Sequence, residues 1–379
     1  MKPKLLFLIA EDWFFCSHFF ERAVAARNAG YEVVVVTHVQ KHGLTIEAAG
    51  MRLIPIGIQR RSVNPIREFR LLQEIQKIYR SERPDLVHHI ASKPIFYGSL
   101  VSRWIGNTRV VNAPVGLGYA FSSNDLVAKI LRPIINVAYR VLLNPPQSRV
   151  IFENSTDLNA FVSSHCVRAK DARLIKGAGI DLKKFHPMPR VGGMVTVMLI
   201  ARMLRDKGVR EFVEAARQLH ASGVHARFVL VGSPDPGNPA SIPENTISEW
   251  NGRNGIEYWG WRDDMRDVLS QADIVCLPSY REGLPKSLLE AAACAIPIVT
   301  TDTVGCRDVV VDGVNGLLVP VRDATAIACA LKKLIESPEL RATMGKSGRT
   351  YAEKMFATEI VIAETLAVYH ELVPVAFKG

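Results

Sequence analysis

Short apolar runs rich in β-branched residues alternate with helix-patterned stretches along all 379 residues, and the rhythm runs through twice. The first series reads as strands at 5–9, 32–36, 52–56, 86–88, 109–112 and 150–152, separated by helices at 18–28, 65–80, 94–104, 126–143 and 156–163. The second reads as strands at 195–200, 227–231, 256–259, 274–277 and 298–300, with helices at 209–219, 265–270, 285–293, 324–336 and 339–355. Strands that are apolar almost throughout, rather than at every second residue, are buried on both faces. That implies parallel sheets covered by crossover helices. Two series predict an α/β protein of two doubly wound, Rossmann-like domains, as the chain length also suggests. The Pro- and Gly-containing stretch HPMPRVGG at 186–193 reads as the linker. The expected division is 1–187, 188–356 and a terminal segment 357–379, whose helix is expected to pack back on the first domain.

Doubly wound sheets bind ligands outside the carboxyl ends of their strands. The strand at 274–277 runs into SYREGLPKSLLEAAACAIPIVTT, which carries Glu282 and Glu290 with seven residues between them. Glu282 falls on the loop, followed by Gly283 and Leu284. Pro285 stands where a helix should begin, since its missing N–H costs nothing at the first helical position. Lys286 and Glu290 follow inside that helix, whose amino end favours an anion. The strand at 195–200 runs into ARMLRDKG, which places Arg202 and Lys207 at the same edge. Arg grips two phosphate oxygens as a fork and Lys acts as a point charge. The strand at 256–259 is followed by Gly260, Trp261 and Arg262, where a nucleobase could lie; the plainer reading is a strand-to-helix turn with Asp263 or Asp264 as N-cap.

Charge is unevenly distributed. Of the net +10, residues 1–187 carry 26 Lys+Arg against 14 Asp+Glu, and the remainder carries 21 against 23. A basic first half suggests an anionic partner such as a phosphate-bearing lipid or membrane surface. Nucleic acid is disfavoured, because no helix-turn-helix, RNP-like or zinc motif occurs. Six scattered cysteines with no C-x-x-C argue for a reducing compartment and against structural zinc. The opening MKPKLLFLIAED reads as a first buried strand, and no run is long enough to span a membrane. In the first domain His18, Lys93, Gly116 and Gly118 also follow strands and are candidates for the acceptor or sugar side. The segment 124–144 is apolar with Lys129, Arg132 and Arg140 interleaved, and reads either as a membrane-surface helix or as a core helix with a basic outer face. Arg60, Arg61, Arg67 and Arg70 add to the surface-binding reading.

Together these motifs resemble a retaining glycosyltransferase of family 4, over nearly the whole length. The resemblance rests on EGLPKSLLE at 282–290, ARMLRDKG at 201–208, GIDLKKFHP at 179–187 and WGWRDD at 259–264. It looks closest to bacterial enzymes that extend lipid-linked saccharides, among them N-acetylgalactosaminyltransferases acting on undecaprenyl-diphosphate-linked sugars. The resemblance implies the GT-B fold with an interdomain cleft, and domain closure that brings donor and acceptor together. It implies that Arg202 and Lys207 bind the donor diphosphate, that Glu282 with Gly283, Leu284, Pro285 and Lys286 holds the donor sugar, that Glu290 holds the ribose, and that Trp261 and Arg262 lie beside the base. Catalysis would fall to Glu282, Arg202 and Lys207. No D-x-D occurs, so no metal cofactor is expected, and the cations and helix dipole would carry the leaving group's charge.

The expected partners are a UDP-sugar donor and a polyprenyl-diphosphate-linked saccharide, at the inner face of the cytoplasmic membrane, with peripheral contact through the basic domain. The sequence departs from the family where many members carry a His in the first-domain loop that here reads NAPVGLG, and where the basic residue after Ser-His is Phe19. Two other readings are a nucleotide-sugar epimerase on the same fold and a catalytically inactive membrane-associated binding protein.

Overall fold

The computed structural model describes residues 2–59, 64–106, 108–115, 126–189 and 192–375, the side chains of 126–132 and 134 excepted. Contacts divide the chain into two compact units, Met1–Ala178 with Glu359–Gly379, and Gly179–Thr358. The second unit starts upstream of the linker composition at 186–193, because Ile180 and Phe185 are buried in its core. The Ile180 amide also donates to Phe356 O at 2.8 Å.

The first unit holds β1 (Lys4–Glu11), β2 (Glu32–His38), β3 (Arg52–Pro55), β4 (Leu86–Ile90), β5 (Arg109–Ala113), β6 (Ser148–Phe152) and β7 (Ala172–Leu174). Their order in the sheet is β3-β2-β1-β4-β5-β6-β7, with every pair parallel. The unbroken apolar run in β1 follows from this arrangement. Leu5, Phe7 and Ile9 enter one core cluster, and Leu6 and Leu8 enter the cluster on the opposite face. Each such side chain, fully buried, contributes roughly 1.5–3 kcal/mol. The expected single helix at 18–28 is two helices, Asp12–His18 and Phe20–Asn28. The break is at Phe19, whose backbone leaves the helical region at φ −124° while its ring is buried. Asp12 fixes this corner: its Oδ2 accepts the amides of Gln40, Lys41 and His42 at 2.8, 2.9 and 2.8 Å. The helix Thr358–Leu372 places Val368, Tyr369 and Leu372 in the same core as Phe7 and Ile9. His88 Nδ1 and the Tyr369 hydroxyl are 2.7 Å apart, and burial, then Arg22 and His89, hold that imidazole well below its ordinary pKa.

The second unit holds β8 (Thr196–Ile200), β9 (Arg227–Val231), β10 (Ile256–Gly260), β11 (Ile274–Leu277), β12 (Ile298–Thr301) and β13 (Gly316–Val319). Their order is β10-β9-β8-β11-β12-β13, again all parallel. β8 divides its side chains as β1 does, with Val197 and Leu199 toward one core and Met198 and Ile200 toward the other. β7 and β13 and the short helices Gly43–Ala48, Glu244–Trp250 and Cys306–Val309 were not among the expected elements. In both sheets the chain winds outward from a central strand and then returns to its other side. The switch points lie between β1 and β4 in one unit and between β8 and β11 in the other. Among the described residues no helix is long and apolar enough to cross a membrane.

Candidate active site

At the β8/β11 switch point two loops are locked together by backbone groups. Asp206 O accepts both the Tyr280 amide at 2.9 Å and the Ser279 hydroxyl at 3.0 Å. Gly208 closes the first loop at φ +70°, and a Cβ there would stand 2.1 Å from Pro278 O, so no larger residue fits. The second loop is braced from its other side by the segment after β12. The Thr301 hydroxyl donates to Ser279 O and the Thr303 hydroxyl to Tyr280 O. The Glu282 amide donates to Val304 O at 3.1 Å. Gly305, at φ +81°, lies so close that a Cβ would be 2.6 Å from Gly283 O and 2.7 Å from Glu282 O.

This frame sets Lys207 Nζ 2.5 Å from Glu282 Oε1. Both are partly buried, at 20% and 12% side-chain exposure, so solvent screens the pair only in part. An ammonium has three donors, so Lys207 can hold Glu282 and still meet an incoming anion. Leu284 is buried in the core below the loop. The helix spans Lys286–Ala293 with Pro285 as its N-cap, one place earlier than the first helical position expected, a difference within the ordinary scatter of helix ends. Pro285 itself has no side-chain group to cap that end. Glu290 is buried on this helix, with Lys286 Nζ at 3.9 Å. Burial raises its pKa, against the opposing pull of Lys286 and Lys184.

Arg202 is the third cation at this edge, and its Nη1 lies 2.7 Å from Asp235 Oδ2. Trp261 and Arg262 follow β10 at the same edge of the sheet. Trp261 is exposed, with its indole N–H donating to Asp263 at 2.8 Å. Arg262 grips Asp264 in a two-pronged pair at 3.0 and 2.9 Å. Asp264 therefore occupies the N-cap position of the helix Met265–Ser270 without capping it, because Arg262 holds its carboxylate.

In the first unit His18 ends the helix Asp12–His18 and packs on Phe14, with ring centroids 4.3 Å apart and the planes tilted by 38°. Lys93 Nζ is bound by Glu68 at 2.9 Å and by Gln59 O at 2.6 Å, which ties it to the neighbouring helix Pro65–Glu82. Gly116, Gly118, Arg60 and Arg61 and the side chains of Lys129 and Arg132 lie outside the described residues. Among the described residues no group of three or more His, Cys, Asp and Glu side chains is gathered to hold a metal ion. The sequence reading missed Asp235, Gly305, Thr301 and Thr303. Thr301 ends β12, Thr303 and Gly305 follow it and Asp235 follows β9, so all four lie at the strand ends that singled out the other loops.

Two family descriptions match the chain, "Glycosyl transferase 4-like" over residues 4–154 and "Glycosyl transferases group 1" over residues 195–337. The chain belongs to the family 4 glycosyltransferases. This glycosyltransferase is 27% identical over 362 residues to an N,N'-diacetylbacillosaminyl-diphospho-undecaprenol alpha-1,3-N-acetylgalactosaminyltransferase of Campylobacter jejuni, covering 92% of this chain and 93% of that one. It is 24% identical over 296 residues to a UDP-Gal:alpha-D-GlcNAc-diphosphoundecaprenol alpha-1,3-galactosyltransferase of Escherichia coli, covering 74% of each. Its fold is shared with sucrose-phosphate synthase of Thermosynechococcus elongatus, at a TM-score of 0.80, 21% identity and coverage of 98% and 99%. An Anabaena protein, HepE, solved in complex with UDP and glucose, superposes at a TM-score of 0.76, 20% identity and coverage of 96% and 99%. The fold class is therefore GT-B, built here from two parallel-sheet units of seven and six strands.

Proposed function

We propose that this glycosyltransferase moves a hexosyl group, in the first instance an N-acetylhexosaminyl group, from a UDP-sugar to a polyprenyl-diphosphate-linked saccharide with retention at the anomeric carbon. The observation that carries the proposal is the Lys207–Glu282 pair held across the β8/β11 switch point. It sets a cation for a diphosphate beside a carboxylate for sugar hydroxyls, each on a braced loop. The Campylobacter and E. coli relatives, by their names, act on undecaprenyl-diphosphate-linked sugars, which supports the acceptor class.

In this reading the donor diphosphate meets Arg202, Lys207 and the amino end of the Lys286–Ala293 helix. One ion pair near 4 Å contributes ~4 kcal/mol at an effective dielectric of about 20. Glu282, with Gly283, Leu284, Pro285 and Lys286, places the sugar. Glu290 takes the ribose hydroxyls, and Trp261 and Arg262 flank the base. As the glycosidic C–O bond breaks, negative charge builds on the β-phosphate, and the fixed cations stabilise it more than the ground state. We assign it no divalent cation. The acceptor hydroxyl attacks from the face the diphosphate leaves, and its proton passes to the departing phosphate. His18, Lys93, Gly116 and Gly118 belong to the acceptor side in this proposal.

The basic first unit faces the acceptor's own diphosphate and the anionic inner face of the cytoplasmic membrane. Exposed Ile66 and Phe69, flanked by Arg67 and Arg70, offer an apolar and cationic contact. The test is a panel of UDP-sugars incubated with and without polyprenyl-diphosphate saccharides, with UDP release and labelled lipid as readouts. Acceptor-dependent UDP release with one sugar is expected. Conversion of the donor sugar without acceptor would favour an epimerase, and UDP binding without turnover of any pair would favour an inactive binding protein.

A further inference from the structure

We infer that Asp235 is a positioning residue for Arg202, carried by a loop whose structure is devoted to presenting it. The inference rests on the donor-site reading above. The loop between β9 and the helix Glu244–Trp250 is folded on itself. The Asn238 amide donates to Asp235 O at 2.7 Å, the Ala240 amide to Asn238 Oδ1 at 3.0 Å, and the Asp235 amide to the Ser241 hydroxyl at 3.0 Å.

It is also stitched along its length to the Arg202 loop. The Met203 amide donates to Ser233 O and the Ile242 amide to Met203 O, both at 2.9 Å. The Arg205 amide donates to Ala240 O at 2.8 Å, its guanidinium reaches Pro239 O at 2.5 Å, and Leu204 pairs with Ser241 as an antiparallel bridge. The backbone bearing Arg202 and the backbone bearing Asp235 are thus one hydrogen-bonded unit, and the Asp235 carboxylate has little freedom relative to the guanidinium it touches.

The contact is one-pronged, Nη1 to Oδ2 at 2.7 Å. A guanidinium presents five donors in a rigid fork, so the Nε–Nη2 edge is left to grip two phosphate oxygens. Among the described residues no second side chain bonds the Arg202 guanidinium. A carboxylate near a diphosphate also repels it, and the exposures decide which effect prevails. The Arg202 and Asp235 side chains are 36% and 25% exposed, so solvent screens the repulsion. The orientation of a long, otherwise free side chain is not screened.

The experiment measures UDP and uridine affinities by calorimetry for the full chain and for Asp235→Ala, Asp235→Asn, Arg202→Ala and the double variant Arg202→Ala/Asp235→Ala. UDP affinity is expected to fall about tenfold in Asp235→Ala and to recover most of that loss in Asp235→Asn, which keeps a hydrogen-bond acceptor. Uridine affinity should stay unchanged, and the double variant should bind UDP no more weakly than Arg202→Ala alone, because Asp235 acts through Arg202. UDP binding in Asp235→Ala as tight as wild type or tighter, alongside weakened binding in Arg202→Ala, would overturn the inference and make Asp235 a competitor of the phosphate. Loss of uridine affinity as well would overturn it in favour of a purely structural role for the loop. An Arg202→Ala variant that binds UDP normally would instead overturn the donor-site reading, and the inference with it.

Discussion

Gly305→Ala tests whether the Glu282 loop works because it is held in one place. The added Cβ would stand 2.6 Å from Gly283 O and 2.7 Å from Glu282 O. Both are backbone atoms, so no side-chain rotation relieves the contact. Ordinary contact begins at 3.4 Å, so the two segments must part by at least 0.8 Å (3.4 − 2.6). A non-glycine residue at φ +81° adds about 1 kcal/mol of backbone strain. A displacement near 1 Å at a reacting centre costs on the order of 10²-fold in rate. The variant should therefore lose about two orders of magnitude in kcat/KM, and its melting temperature should fall by several degrees. Initial rates of sugar transfer and a thermal melt on the same preparation check both. A folded variant with wild-type kcat/KM would refute the reasoning, because the loop would then tolerate displacement.

Glu290→Gln separates binding from stability. In the folded chain burial raises the Glu290 pKa above its ordinary 4.5, against Lys286 and Lys184. The folded state thus holds more protons than the unfolded between 4.5 and that raised value, and Glu290 makes stability fall as pH rises through the window. The Gln variant lacks this slope and should gain on wild type with rising pH in denaturant titrations, while its UDP affinity drops. Asp12→Asn has the opposite sign. Burial disfavours the Asp12 charge, but the amides of His42, Gln40, Lys41 and Trp13 outweigh it and hold the pKa below 3.8. Its contribution is present above 3.8 and lost as pH falls through the lower folded value. The substitution should cost about 1.5–3 kcal/mol at neutral pH, measured by chemical unfolding. Trp261→Ala removes an exposed side chain, so stability should change by less than about 0.5 kcal/mol. Its KM for the UDP-sugar should rise several-fold if the indole flanks the base.

Periodicity carried the fold because the strands are buried on both faces. Runs such as Leu5–Leu6–Phe7–Leu8–Ile9 feed two cores at once and leave no solvent face to interrupt them. β7 escaped notice because it has only three residues, and β13 because Gly316 at its start reads as a turn. The Asp12–His18 helix was hidden by the break at Phe19, a tertiary effect of burying that ring. In the candidate site, residues with distinctive chemistry in a motif were legible: Glu282, Glu290, Arg202 and Lys207. Asp235 was not, since an Asp in a Pro- and Gly-rich loop looks like turn chemistry until Arg202 is found 2.7 Å away. Gly305 looks like any turn glycine until the carbonyls against it are known. Lys93 was legible only by its position after β4, and its pairing with Glu68 needed the fold to bring the helix Pro65–Glu82 beside it.

The most direct test of the proposed mechanism is the rate of sugar transfer by Glu282→Ala, measured beside its UDP affinity. Glu282 reaches from one braced loop to Lys207 on the other. If it places the donor sugar, the variant should still bind UDP while kcat/KM falls on the order of 10³-fold or more. A folded Glu282→Ala enzyme that transfers sugar at the wild-type rate would contradict the assignment of this edge of the second unit as the place where the reaction occurs.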